Sequence, residues 1–168
     1  PNMHLPTMRR TAALALLALV LLGPGLARAQ SSARAPAAAD PAAAEALIRR
    51  YVDAFNRHDV DATVGCVDTA FRWYNIAADS MQLTMRGRET QRPGLARYFK
   101  AFPDVHSDIS GLAVNGPWVM VREQVRWTGA KGRAENVAFA VYEVRAGLIR
   151  RVYYFPAERR SLATGDTR

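Results

Sequence analysis

The chain has 168 residues, 49% hydrophobic and 23% charged, enough to bury one core of ordinary domain size. Eleven glycines and nine prolines exclude collagen-like and low-complexity chains, and a lone cysteine, Cys66, excludes a disulfide framework or a Cys-rich zinc module. The net charge of +8 comes from 23 Lys and Arg scattered in short pairs such as Arg49-Arg50 and Arg159-Arg160, not in the aromatic-laced stripe that nucleic acid requires, so no nucleic-acid partner is expected.

Pro1 to Thr7 are set apart from the fold. From Met8, Arg9 and Arg10 precede an apolar run over 12–22, then Gly23-Pro24-Gly25 and Ala27-Arg28-Ala29. That order is the pattern of a cleaved secretory leader, and the run is too short to cross a bilayer, which needs about 20 helical residues. The expectation is a periplasmic or secreted protein with no stable membrane insertion. Cleavage after Ala29 removes three arginines and no acid, so the charge falls from +8 to +5. Residues 30–40 are rich in Ala, Ser and Pro and read as a linker with nothing to bury.

The domain is expected over 41–158, with a tail at 159–168. Asp40-Pro41 is a helix start, and Ala44, Leu47, Ile48, Tyr51, Val52 and Phe55 then repeat at three and four, giving a helix ending near His58. A short helix is predicted over 59–67 and an aromatic, branched strand over 71–76. Residues 77–86 read as a loop, and 87–102 as a third helix with Leu95, Tyr98, Phe99 and Phe102 on one side, stopped by Pro103. Strands are predicted at 106–114, 118–127, 134–145 and 148–155, joined by Gly-containing turns as antiparallel hairpins. Helices followed by a meander give an α+β domain, one curved sheet wrapped on helices.

Tyr51-Val52-Asp53-Ala54-Phe55-Asn56 with Asp59-Val60-Asp61, then Gly87-Arg88-Glu89, Phe102-Pro103-Asp104 and the Gly147-Leu148-Ile149 turn resemble the SnoaL-like, nuclear transport factor 2-like superfamily. Ketosteroid isomerases, limonene epoxide hydrolases and polyketide cyclases belong to it. The resemblance implies a cone-shaped, mostly antiparallel curved sheet around three N-terminal helices, a cystatin-like α+β barrel. It specifies the scaffold and not the chemistry. Against ketosteroid isomerases, Tyr51 matches the oxyanion-binding Tyr. The base position falls on Asn75 and the second acid on Phe139 or Ala140, none able to shuttle a proton. Against limonene epoxide hydrolases, Trp73 and Asn75 match the water-holding pair. The Asp-Arg-Asp relay would map to Gln124, Arg122 and Tyr154, and an Arg cannot deprotonate water.

Strand alternation divides the sheet residues into two phases. The resemblance places Met120, Arg122, Gln124 and Arg126 with Ala138, Ala140, Tyr142, Val152 and Tyr154 on the concave side. The phase of Val119, Val121, Glu123 and Val125 with Phe139, Val141 and Tyr153 would then be an apolar outer face, which argues for a homodimer. With the faces reversed, Glu123 sits among apolar side chains as a general-base candidate. The favoured reading is an exported module binding a small apolar or aromatic molecule through Tyr51, Trp73, Asn75, Arg122, Gln124, Tyr142 and Tyr154, in a cavity without carboxylates. The alternatives are an isomerase, cyclase, lyase or hydrolase using Tyr51 and Arg122 with Glu123 or Asp79 as base, and a dimerisation module built on the apolar sheet face. No cofactor and no metal site are expected, because the histidines of the exported part, His58 and His106, stand at unrelated positions; His58 reads as a helix cap, and His106 with Asp108 as a solvated strand edge.

Overall fold

The computed structural model describes residues 40–161. The expected leader, most of the linker and the end of the tail lie outside the described residues.

The first helix, α1 (Pro41–Asn56), starts where the sequence places it. The Asp40 carboxylate accepts from the Ala42 N–H at 3.1 Å, and Pro41 fills the first turn, where no donor is missed. Its stripe of Ala44, Leu47, Ile48, Tyr51 and Val52 is buried. His58 then takes a left-handed φ of 55° and ends the turn. The Asp59 side chain caps α2 (Val60–Gly65) through the Ala62 N–H, and Cys66 is buried.

The strand after it, β1 (Val67–Ala77), begins four residues earlier than predicted, and the predicted loop is a strand, β2 (Ser80–Arg86). Ala77 pairs with Ser80 across a two-residue turn in which Ala78 has φ 50°. The alternation Met81, Leu83, Met85 carried that signal, so a hairpin separates α2 from the third helix where one strand and a loop were expected. Gly87, at φ 84°, opens α3 (Arg88–Ala101), and Pro93 lies inside that helix, beyond its first turn.

A meander follows: β3 (His106–Asn115), β4 (Trp118–Gly129), β5 (Gly132–Arg145) and β6 (Leu148–Tyr154), with a short β7 (Glu158–Ser161) where only a tail was expected. The sheet order is β2-β1-β6-β5-β4-β3, with β7 sharing the edge of β5; it is curled but not closed, and β1 and β6 are its parallel pair. The α+β class is as read from the sequence. Tyr51 and Val52 of α1 pack on Phe71, Val119, Val121, Ala140, Tyr142 and Val152, which form the concave core.

Register decides which side chains reach that core. Gly129 pairs with Gly132 across a two-residue turn, so partners along β4 and β5 have opposite parity: Glu123 faces Ala138, Val121 faces Ala140, Val119 faces Tyr142. Arg122 therefore shares a face with Phe139 and not with Ala140. At β5–β6 the pairing moves from Val144↔Ile149 to Glu143↔Arg151, and the bulge at Arg150 turns both Ile149 and Val152 inward. The expected concave face is thus corrected for β4, whose valines and Glu123 point in, while Ala138, Ala140, Tyr142, Val152 and Tyr154 lie inside as expected.

Candidate functional site

A cavity of about 470 Å³ opens between α1, α3 and the concave sheet, within the volume range of small-molecule pockets. Phe55, Trp73, Met85, Leu95, Tyr98 and Val125 make most of its wall apolar. Tyr51, Gln91, Arg97, Glu123 and Tyr154 bring polar groups to it.

Tyr51 is on the third turn of the α1 stripe, edge-on to Tyr142 with ring centroids 6.2 Å apart. Its hydroxyl accepts from Gln91 Nε2 at 3.0 Å, so its own proton is free to be donated elsewhere. Burial, with the nearby Glu123 charge adding to it, raises the Tyr51 phenol far above its ordinary value, and Tyr154 shifts the same way for the same reasons. Both stay neutral donors at any physiological pH. Gln91, 1% exposed, stands one turn ahead of Leu95 and heads the side of α3 that continues through Leu95, Tyr98 and Phe99. That single polar residue on an apolar stripe was the available signal for it.

Glu123 is 9% exposed and projects from β4 into the same cavity. Its Oε1 accepts from Ser107 Oγ at 2.6 Å. Burial pushes its carboxyl above the ordinary range and outweighs the Ser107 hydrogen bond, which pulls the other way. The cavity expected to be free of carboxylates therefore holds one in its wall. A neutral phenol donor and a raised carboxylic acid in one apolar chamber can polarise a carbonyl or epoxide oxygen and move a proton.

The structure gathers Tyr51, Trp73, Glu123 and Tyr154 at this cavity, Trp73 and Tyr154 with centroids 5.5 Å apart. It does not bring the other candidates there. Arg122 lies on the outer face and donates to Ser110 Oγ at 2.7 Å, because the register turns even-numbered β4 residues outward. Gln124, on that same face, donates to Glu135. Asn75 is exposed and accepts from Trp73 Nε1 at 2.9 Å without lining the cavity. Tyr142 is sealed in the core behind it. Asp79 is exposed at the β1–β2 turn. Gln124, Arg122 and Tyr154 thus stand on opposite faces and cannot form a relay.

The remaining polar candidates have structural partners. His58 stacks on Phe99 with centroids 4.5 Å apart, and its Nε2 lies 3.0 Å from the Val105 carbonyl. His106 and Asp108 meet at 3.4 Å on the outer face, where Arg126 also reaches Asp108.

Among solved structures the chain is similar to an uncharacterised cystatin-fold protein from Novosphingobium aromaticivorans (24% identity, 68% of this chain and 97% of that one, TM-score 0.60). It is also similar to an LEH-like epoxide hydrolase from M. tuberculosis (16%, 70% and 84%, TM-score 0.60). A third is a protein of ketosteroid isomerase-like fold from Catenulispora acidiphila, solved in complex with trimethylamine (16%, 66% and 84%, TM-score 0.57). At these identities the likeness is one of fold. No curated protein matches the chain. The SnoaL-like domain matches residues 48–152, from the buried stripe of α1 to the inward-facing end of β6, and the chain belongs to that family.

Proposed function

We propose that the protein is an acid–base enzyme acting on a small, largely apolar molecule, with Glu123 as the proton-transfer group and Tyr51 as hydrogen-bond donor to the oxygen that gains charge. The observation that carries this reading is the Glu123 carboxyl in the wall of the cavity that Tyr51 also lines. Burial raises its proton affinity above that of an ordinary carboxylate, as suits a group that holds and releases a proton. The size and apolar lining favour a substrate of one or two rings or a short branched chain, with a single carbonyl, enol or epoxide oxygen. The arginine pair and apolar run of the leader support a place outside the cytoplasm. Met120 and Phe139, 49% and 51% exposed on the outer face, support a homodimer.

The test starts from protein purified from its native cells. The small molecule it carries is identified by mass spectrometry and returned to the wild type and to Glu123→Gln in D₂O. Deuterium incorporation or conversion by the wild type, reduced about 10²–10⁴-fold in Glu123→Gln, is the expected result. A ligand that stays bound, unconverted and unexchanged in both proteins sinks the enzymatic reading in favour of a receptor.

A further inference from the structure

We propose that Asn56 and Ser107 form a positioning relay that fixes the Glu123 carboxyl by its Oε1 and leaves Oε2 as the proton-transfer atom. The proposal rests on the acid–base reading of the cavity and names the residues that prepare its acid.

Asn56 is the last residue of α1. Its Nδ2 donates to the Ser107 carbonyl at 2.8 Å, and its Oδ1 accepts from the Ser107 N–H, also at 2.8 Å. One side chain thus satisfies both backbone groups of one residue on β3. Two residues on, His58 reaches the Val105 carbonyl, so Asn56 and the turn after α1 hold the chain at Val105, just before β3, and at Ser107 within it. The sequence could not signal this, because the partners are 51 residues apart.

The clamp fixes Ser107 with its side chain turned inward and buried. Ser107 pairs with Val125, and Glu123 pairs with Ile109, so the hydroxyl reaches Glu123 Oε1 diagonally across the inner face. Among the described residues no donor engages Oε2. A carboxyl held at one oxygen presents the other in one direction, which is the geometry proton transfer requires.

Several titratable groups face Glu123: Tyr51 from α1, Tyr98 from α3, Tyr142 from β5 and Tyr154 from β6, with Arg97 of α3 in the same wall. The four phenols are raised and stay neutral. Ser107 is the hydrogen-bond donor that favours the ionised carboxylate, and Asn56 acts only through it.

The experiment is a titration of the full chain carrying ¹³C at its glutamate carboxyls, followed by NMR between about pH 4 and pH 10, with Glu123→Gln identifying the resonance. Losing the Ser107 hydroxyl removes a bond to the charged form, so Ser107→Ala is expected to raise the Glu123 midpoint by about one pH unit. Asn56→Ala should shift it the same way although it touches no atom of Glu123, and Ser107→Thr should restore the wild-type value. A titrating Glu123 whose midpoint coincides in the wild type, Ser107→Ala and Asn56→Ala overturns the relay alone and leaves the acid–base reading standing. A Glu123 resonance that stays still throughout the range in every protein overturns both. Should Asn56→Ala lose its dispersed amide spectrum, the comparison of Ser107→Ala with Ser107→Thr decides.

Discussion

The two faces of one sheet have been given different work. On β4, Val119, Val121, Glu123 and Val125 point into the cone, three apolar residues and one acid, and the acid is buried with a single hydroxyl donor. One residue out of step, Arg122, Gln124 and Arg126 face outward and spend their hydrogen bonds on Ser110, Glu135 and Asp108. A charge outside is neutralised by neighbours and water, whereas a charge inside must be made by the protein against desolvation. The strand that turns Arg122 and Arg126 outward therefore contributes its one acid, Glu123, to the cavity.

The largest expected contrast is in stability. Tyr142, 1% exposed on the inner face of β5, should cost about 3–5 kcal/mol on truncation to Ala, measured by chemical denaturation. Phe139, three residues away and half exposed, should cost under about 1 kcal/mol in the monomer. Equal losses would mean the two faces are wrongly assigned.

Catalysis should separate the faces nearly as widely. Glu123→Gln is expected to lower turnover about 10²–10⁴-fold, and Arg122→Ala to leave it within about twofold, with the deuterium-exchange rate as readout. A smaller effect belongs to the outer face alone. Phe139→Asp should convert a homodimer to monomer in sedimentation velocity while ligand binding in the cavity is unchanged; a wild type that is already monomeric removes that face from any dimer.

The smallest effect is a pH dependence. Because the folded protein raises the Glu123 proton affinity, its contribution to stability is fully present below the unfolded carboxyl value and is lost as pH rises through the folded one. Melting temperature should thus fall across that window in the wild type, and the fall should be shallower in Glu123→Gln, which has no proton to lose. Parallel curves would mean that Glu123 is not titrating in the fold.

Much of this architecture was legible along the chain. Asp40-Pro41 and the stripe through Tyr51 specified α1, and the glycine turns located the hairpins of the meander, because capping and periodicity act over a few residues. The strand at Ser80–Arg86 escaped because its turn is built from Ala78 and Asp79 and lacks glycine. In the site, Tyr51, Trp73 and Tyr154 were recognisable, and Glu123 was visible as an alternative. Gln91, Ser107 and Asn56 were not, since nothing near them in sequence is what they bind.

By itself the sequence determined the three helices, β1 and the four strands of the meander, the family they belong to and the presence of one acid among the valines of β4, but neither β2 nor β7. Only the tertiary structure decided that the acid faces inward. Strand alternation has a period of two, so each strand offers two equally regular faces. The choice between them depends on a two-residue turn at Gly129–Gly132 and a bulge at Arg150, features whose register appears only once the strands have paired.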